Sequence, residues 1–321
     1  MMNTSKDATP TRTEDEAARA GWLYYIAGMT QDGIAAELGV SRQRVQRLVS
    51  RAMSDGLIHV RLEHPLASCM ALEAQMVQRF GLRRCRVAPS LPHDMDQTPS
   101  IAPLAAAEIE RVLRRDTPLV VALGTGRTMR AAIDELSLMV CDHHRIVSLN
   151  GTIGRDGAAT SHDVIMRIAE MVQAPHYPMP VPVICDSAEE RAEFHALRPV
   201  RCVAELARDA DETFVGVGHM GADAPLRADG LITEAELAQL MSQDAAGEVA
   251  GWVFDGAGQY LDLPHNARVG GVRVTAKSSA GVTCIAAGPK KMVALHAALK
   301  GNLINGLVTD ERTAEQLVTS R

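Results

Sequence analysis

The chain has 321 residues, of which 46% are hydrophobic, and a formal net charge of −6. A chain of this length can bury one large core and still carry a small second domain. No apolar run reaches the length of a membrane span, and the N-terminus lacks the pattern of a secretory signal, so we expect a cytoplasmic protein. The six cysteines contain no CxxC pair, which predicts reduced thiols rather than a disulfide framework.

The N-terminal part of the chain predicts a small helical domain. Residues 1–13 are polar and are expected to form a disordered tail, and residues 14–63 to form the domain itself. A helix is predicted over residues 17–28. Four of its large side chains are available for the core of the domain: Trp22, Leu23, Tyr25 and Ile26.

Residues 31–50 have the pattern of two short helices joined by a tight turn. Gly39 can adopt the positive φ of such a turn, and Ser41 is a good N-cap for the second helix. Apolar residues at helical spacing give each helix a face that packs on the other: Ile34, Ala35 and Leu38 in the first, and Val45, Leu48 and Val49 in the second. This pattern predicts a helix-turn-helix DNA-binding motif.

The second helix of this motif is rich in arginine. Four arginines and no acidic residue lie between Ser41 and Met53, although the chain as a whole is acidic. Local positive charge suits a phosphate backbone, and arginine and glutamine pair bidentately with guanine and adenine. The alternative is a helical subdomain with a solvated basic face. The residues predicted to bind double-stranded operator DNA are Gln31, Ser41, Arg42, Gln43, Arg44, Gln46, Arg47 and Arg51.

Two further elements are predicted before the main domain. A turn at Asp55-Gly56 and a short strand over 57–62 indicate a winged variant of the motif, in which His59 or Arg61 would touch the DNA backbone. Residues 64–83 form a predicted linker with an amphipathic helix over 66–80, capped by Gly81. This helix would join the two domains and help to pair protomers.

Residues 84–321 alternate strand-like and helical runs, which is typical of a parallel α/β sheet. We expect this region to bind an effector and to oligomerise. The predicted strands are 85–87, 119–123, 146–149, 181–184, 214–217, 249–254, 269–274, 283–286 and 304–308.

Glycine-rich turns follow two successive predicted strands, over 124–128 and 150–154. In open parallel sheets ligands bind at the C-terminal ends of strands, and the amides at the start of the following helix, 129–136, attract anions. A phosphate or a polyhydroxylated ligand suits these turns, and the alternative is a pair of turns without a ligand. Neither turn has the GxGxxG pattern of a dinucleotide site.

No metal or cofactor site is predicted. Residues 141–144, Cys-Asp-His-His, include metal-ligand types, but adjacent side chains cannot all converge on one ion, and a polar loop is the expected structure.

The whole chain resembles the SorC family of bacterial sugar-sensing transcription regulators, from about residue 17 to residue 318. The segments that carry the resemblance are Leu23-Tyr24-Tyr25 ahead of 31–48, the 124–128 loop, 214–218, 247–249 with Phe254, Asp255 and Gly258, 287–291, and 307–311. The resemblance implies an N-terminal winged helix-turn-helix domain and an α/β effector domain related in fold to sugar-phosphate isomerases and glucosamine-phosphate deaminases. It also implies assembly into homo-oligomers, dimers or tetramers, that hold paired DNA-binding domains.

The resemblance further implies a pocket for a sugar, sugar phosphate or polyol. Carried onto this chain, the effector-binding residues are Gly124, Thr125, Gly126, Arg127, Thr128, Asn150, Gly151, Thr152, Glu248 and Lys291. Asn150 stands where phosphate-binding relatives often have glycine or a cation, and Pro289 stands at a usual glycine, which leaves a free sugar or polyol open. Lys290 beside Lys291 leaves open which lysine faces the pocket.

The function predicted is therefore effector-controlled DNA binding at a carbohydrate or polyol catabolism operon. One alternative is a regulator that senses a non-sugar molecule, although 3% aromatic content does not favour stacking of a base. A second alternative is an isomerase or deaminase with acid–base groups drawn from Glu248, Asp255, His219 and Lys291. Such an enzyme has no use for the helix-turn-helix segment.

Overall fold

The computed structural model describes residues 12–58, 66–160, 164–276 and 280–320. The chain divides into two compact units, Met1–His64 and Pro65–Arg321. The first unit is helical in its described part, and the second is built on a parallel sheet.

Three helices form the described part of the first unit: α1 (Arg12–Tyr25), α2 (Gln31–Leu38) and α3 (Arg42–Ser54). Gly39 ends α2 with a φ of 65°, and the Ser41 Oγ accepts a hydrogen bond of 3.3 Å from the Arg44 N–H at the start of α3. Ile34 of α2 and Val45 of α3 are fully buried in the core between the helices. The predicted helix-turn-helix is therefore confirmed.

The start of the first unit differs from the prediction in two ways. The helix α1 begins at Arg12, inside the tail predicted to be disordered, and residues 1–11 lie outside the described part of the chain. Trp22, Tyr25 and Ile26 are exposed rather than in the core. The buried face of α1 follows its helical period instead and consists of Ala17, Ala20 and Leu23.

The turn after α3 is present, with Gly56 at a φ of 67°. The predicted strand of the wing, including His59 and Arg61, falls mostly on residues 59–65, which lie outside the described residues.

The second unit contains a seven-stranded parallel sheet in the order β1-β10-β9-β5-β2-β3-β4. Its strands are β1 (Arg84–Ala88), β2 (Val120–Leu123), β3 (Arg145–Ile153), β4 (His176–Pro182), β5 (Glu212–Val215), β9 (Gly281–Ile285) and β10 (Gly306–Asp310). The order of the strands reverses between β2 and β5, which is the position at which open sheets of this kind form a ligand crevice.

Helices cover both faces of this sheet. Successive residues of a strand therefore point into two different cores, one on each face. In β2, Val121 belongs to one core and Ala122 to the other. The helices of this unit are α4 (Ala67–Phe80), α5 (Thr98–Leu113), α6 (Arg127–Asp134), α7 (Ile165–Val172), α8 (Ala188–Ala196), α9 (Arg198–Arg208), α10 (Pro225–Ala228), α11 (Glu234–Ser242), α12 (Pro264–Arg268), α13 (Met292–Lys300) and α14 (Glu311–Thr319). The predicted helix over 66–80 is α4, and Gly81 ends it with a φ of 65°.

A small antiparallel sheet lies beside the large one, with strands β6 (Gly218–His219), β7 (Ala245–Val249) and β8 (Trp252–Asp255). The single strand predicted over 249–254 is wrong, because Ala250 and Gly251 both have positive φ and form a turn between β7 and β8. The run of apolar residues concealed this turn in the sequence.

Three other strand predictions need correction. The strand β4 begins at His176, five residues before the start that was predicted, residue 181. Residues 269–274 contribute one bridge, between Val269 and Ile184, rather than a strand. The segment 150–154 is not a loop, since β3 continues through Ile153 and pairs with β4. A Cβ on Gly151 would lie 2.3 Å from the Pro182 carbonyl oxygen, so this glycine permits close approach of two strands.

Candidate functional site

The predicted DNA-binding residues lie on one surface of the first unit. The side chains of α3 that do not face the core are exposed, and Ser41 serves as the N-cap of this helix. Gln31 begins α2 and is half-buried. The exposed members of α3 are Arg42, Gln43, Arg44, Gln46, Arg47 and Arg51.

Acidic residues outside the arginine-rich segment neutralise part of this surface. Arg44 pairs with Glu16 of α1 at 2.6 Å, and Arg51 pairs with Asp55 at 2.8 Å. Arg42 lies 3.6 Å from a carboxylate oxygen of Asp32 in α2. In the described part of this unit Arg47 has no acidic partner, and its Nε donates to the Gln43 carbonyl at 3.4 Å. Arg47 therefore carries the least compensated charge of the four arginines.

A cavity of about 540 Å³ lies at the C-terminal ends of the central strands of the second unit. The loops after β2, β5 and β9 and the residue Asn150 of β3 surround it. The predicted residues that line it are Gly124, Thr125, Gly126, Arg127, Thr128, Asn150, Glu248 and Lys291. Eight of the ten residues predicted to bind the effector thus line this cavity, at the switch point of the sheet.

The N-terminus of α6 and Lys291 form one wall of the cavity. No side chain among the described residues caps α6, whose N-cap is Gly126. The Lys291 Nζ donates to the Thr128 Oγ1 at 3.3 Å, and burial lowers the pKa of Lys291. Uncapped helix N–H groups beside an ammonium group favour an anion at this position.

Glu248 and Asn150 supply polar groups elsewhere in the wall. Burial raises the pKa of the Glu248 carboxyl, whose Oε2 accepts a hydrogen bond of 2.8 Å from the Gly251 N–H. Gly218 makes room for this carboxylate, because a Cβ there would lie 2.0 Å from the Glu248 Oε1. The buried Asn150 Oδ1 has no partner in the described part of the chain. These groups can accept hydrogen bonds from hydroxyl groups.

Two ion pairs join loops across the cavity. Arg127 pairs with Asp229 at 2.8 Å, and Lys290 pairs with Asp223. The Lys290 ammonium, with the nearby His219, holds the pKa of Asp223 well below its usual value. Both lysines line the cavity, but Lys290 has a carboxylate partner, whereas Lys291 has only the Thr128 hydroxyl among the described residues.

Gly151 and Thr152 do not line the cavity, contrary to the prediction. Both belong to β3, and the Thr152 Oγ1 donates to the Met179 carbonyl of β4 at 3.1 Å. The glycine that suggested a ligand loop is instead required by the contact between strands.

Other lining residues were not found from the sequence. The loop between β1 and α5 contributes residues 93–98, and the region after β6 contributes Asp223 and Asp229. The rule that ligands bind after strands pointed to the first of these loops, because residues 85–87 were a predicted strand. The same rule pointed to the segment after the predicted strand 214–217, which contains Asp223 and Asp229.

The Cys-Asp-His-His segment has a structural role. The buried His144 accepts a hydrogen bond from the Leu119 N–H and contacts the Leu113 carbonyl through its other ring nitrogen. No group of three or more metal-ligating side chains occurs in the described residues. All six cysteines are free thiols, of which Cys202 is exposed.

Within the described residues no helix is long and apolar enough to cross a membrane.

An arginine-bearing helix-turn-helix and an α/β unit with a polar cavity, in one chain, define a ligand-responsive DNA-binding regulator. The family described as "Putative sugar-binding domain" matches residues 64–319, and the family described as "Homeodomain-like domain" matches residues 11–61. The chain belongs to the SorC family of sugar-binding transcriptional regulators.

Curated relatives match over nearly their whole length. The erythritol catabolism regulatory protein EryD of Brucella abortus is 33% identical over 94% of this chain and 96% of its own. The transcriptional regulator LsrR of an Enterobacter species is 32% identical over 95% of this chain and 94% of its own. Because its relatives are named as transcriptional regulators, the chain is a regulator rather than an isomerase or deaminase.

Solved structures have the same fold. The full-length sorbitol operon regulator SorC of Klebsiella pneumoniae aligns with a TM-score of 0.69 at 23% identity and covers 95% of this chain and 99% of its own. A domain of a possible sugar-binding regulator from Arthrobacter aurescens aligns with a TM-score of 0.70 at 23% identity and covers 80% of this chain. The fold prediction is confirmed.

Proposed function

We propose that this regulator controls a carbohydrate or polyol catabolism operon and that a phosphorylated sugar or polyol in the cavity sets its affinity for the operator. The observation that carries the proposal is the position of Lys291, beside the uncapped N-terminus of α6 and without a carboxylate at ion-pair distance among the described residues. A phosphate group provides the negative charge that these groups favour.

The rest of the cavity suits the hydroxyl groups of such an effector. Glu248 and Asn150 offer acceptors, and no Phe, Tyr or Trp side chain that would stack a base is among the described residues of the cavity lining. Asn150 would thus bind a hydroxyl group of the effector rather than its phosphate. The residues proposed to bind the effector are Gly124, Thr125, Gly126, Arg127, Thr128, Asn150, Glu248 and Lys291.

The DNA-binding role assigned to α3 belongs to the same proposal. Residues 14–63 would bind the operator, and residues 84–321 would hold the effector and the oligomer contacts. The helix α4, predicted to lie in a linker, instead packs in the core of the second unit through Cys69, Leu72 and Met76. Two half-sites one helical turn apart, about 34 Å, require two paired DNA-binding domains, so we expect a dimer or tetramer acting in the cytoplasm. Analytical ultracentrifugation with and without effector tests the assembly, and a monomer on operator DNA would contradict it.

The effector is tested by thermal unfolding of the full chain with a panel of four- to six-carbon sugars and polyols and their monophosphates. A ligand at 100 times its dissociation constant adds about 2.7 kcal/mol of stability. We expect one monophosphate to stabilise the protein and to change its affinity for operator DNA in a gel shift.

Lys291→Met and Lys290→Met form the matched pair of variants. We expect the first to abolish the effect of the monophosphate and the second largely to retain it, since Lys290 already has Asp223 as its partner. Stabilisation by a free polyol in both variants would show that the effector is not phosphorylated. If no member of the panel stabilises the protein, the proposal that the effector is a sugar, a polyol or a monophosphate of either is contradicted.

A further inference from the structure

A second cavity, of about 440 Å³, lies in the second unit, and none of the described residues that line it also lines the effector cavity. Three arginines line it, Arg191, Arg208 and Arg273, together with Trp252, and its acidic lining residue is Asp262. We propose that this cavity is a second binding site, which takes a small oxyanion such as a phosphate or a carboxylate.

Arg273 is held in place in a way that leaves its donors available. Its guanidinium lies over the Trp252 ring at 4.5 Å and over the Tyr260 ring at 5.0 Å from the ring centroids. The two ring planes are 71° apart, so the guanidinium plane can stack on one ring at most, and both contacts are cation–π attractions rather than hydrogen bonds to an oxygen acceptor. Arg273 makes no hydrogen bond or ion pair with the described residues. A planar group fixed in this way can bind an oxyanion through two parallel hydrogen bonds.

Arg191 adds a second fixed guanidinium to the cavity. Its Nε donates to the Val269 carbonyl at 2.5 Å, and the group lies 5.5 Å from the centroid of the Trp252 ring. Burial lowers the pKa of Arg191, and the positive charges of Arg208 and Arg273 lower it further. Arg191 is therefore close enough to Arg208 and to Arg273 to be repelled by both, and a bound anion relieves this repulsion.

Asp262, the acidic residue among the described residues of the lining, forms no ion pair with Arg191 or Arg273. The Trp252 indole is 4% exposed, and its Nε1 has no acceptor among the described residues. This N–H is closed to solvent, so the contacts to the anion come from Arg191 and Arg273.

The second cavity lies next to the effector cavity, and different described residues line the two. Trp252 directly follows Gly251, which lines the effector cavity. Gly271 lines the second cavity, and a Cβ on it would lie 3.1 Å from the Asn150 Cα. The two sites are separate, and their occupancies can be distinguished by variants.

Tryptophan fluorescence of the full chain tests the proposal, because Trp22 and Trp252 are its two tryptophans. In the Trp22→Phe background, Trp252 alone reports on the cavity. Inorganic phosphate and citrate are titrated separately at constant ionic strength, with chloride as the reference anion. We expect a saturable change in emission with one or both probes, and the probe that binds identifies the phosphate or carboxylate class.

Two variants in this background locate the binding. We expect Arg273→Gln to raise the dissociation constant at least tenfold, and Lys291→Gln, which alters the effector cavity, to leave it unchanged. A non-saturable change, equal affinity in Arg273→Gln, or loss of binding in Lys291→Gln alone would overturn the proposal. Sedimentation of Arg273→Gln provides a further check. If this variant dissociates from an oligomer and the unmodified protein binds no anion, the cavity is a protein interface rather than an anion site. The outcome does not depend on the identity of the effector.

Discussion

The Arg44 Nη2 lies 2.6 Å from the Glu16 Oε2, so an arginine of the helix predicted to read DNA is tied to α1. Both side chains are partly exposed, and such pairs contribute at most about 1 kcal/mol to stability. The pair nevertheless competes with DNA for the Arg44 guanidinium. Arg47, which has no acidic partner in the described residues of its unit, faces no such competition.

Arg47→Ala should therefore weaken operator binding more than Arg42→Ala, whose side chain lies near Asp32. If Arg47 contacts a base edge, the loss is about 1–3 kcal/mol. Gel shifts at fixed salt, on DNA selected from a random pool by the unmodified protein, measure both variants. The helical circular dichroism and thermal unfolding of the full chain serve as the control and should not change, because both arginines belong to the helical first unit. Equal affinity of Arg47→Ala and the unmodified protein would exclude Arg47 from the DNA-binding surface.

A second prediction concerns Glu236, which caps α11 together with Thr233 and pairs with Arg268 at 2.8 Å and Arg155 at 3.2 Å. Although burial opposes it, these hydrogen bonds and charges lower the pKa of Glu236 from 4.5 to about 2. A lowered carboxyl pKa stabilises the folded state above the unfolded-state pKa, and this contribution is lost as the pH falls through the folded-state value.

Glu236→Gln should thus be less stable than the unmodified chain at pH 7, and the difference should shrink between about pH 4.5 and pH 2. Urea unfolding across this range measures it. Glu234→Gln, in the same first turn but 85% exposed, is the matched control and should differ little from the unmodified chain at any pH. A difference for Glu236→Gln that does not depend on pH would assign its effect to packing rather than charge.

The sequence predicted the helix-turn-helix and the ligand loop after β2 because both depend on local features. Gly39 and Ser41 fix the turn and the cap whatever surrounds them, and a buried strand followed by 124–128 determines where the loop lies. These features can be predicted without knowing which residues from distant parts of the sequence pack against them.

The errors arose where distant residues decide the structure. Glu16 and Asp32 neutralise arginines from other helices, which the count of charges within α3 did not include. Gly151 resembled a loop glycine, yet its role is contact with Pro182 of β4. Asp223 reaches the cavity only because the chain between β6 and α10 folds over it.

The contact at Gly151 gives a third prediction. Gly151→Ala places a methyl group 2.3 Å from the Pro182 carbonyl oxygen, a backbone atom that cannot move without disturbing the sheet. Overpacking of this kind costs about 1–3 kcal/mol. Gly154→Ala is the matched control, because its nearest neighbour is the flexible Asp156 side chain at 3.1 Å. Urea unfolding should show a loss for the first variant and little change for the second, and equal effects would contradict the assigned role of Gly151.

The last prediction separates ligand binding from stability at Lys291. Burial lowers the pKa of this lysine, so the folded state bears part of the cost of holding its charge. Lys291→Met keeps most of the side-chain volume and removes the charge, and we expect the effector-free protein to gain about 1 kcal/mol of stability near neutral pH. Residues that serve a ligand often carry such a cost.

The pH dependence of this gain follows from the sign of the pKa shift. A lysine whose pKa is lowered on folding destabilises the folded state while it is charged, and the unmodified protein recovers stability as the pH rises through the lowered pKa towards 10.5. The advantage of Lys291→Met should therefore diminish with increasing pH. Lys290→Met, with a side chain that is 70% exposed, should change the stability by less than about 0.5 kcal/mol. A net loss of stability in Lys291→Met at neutral pH would mean that the attraction between Lys291 and Glu248 exceeds the cost of burying the ammonium group.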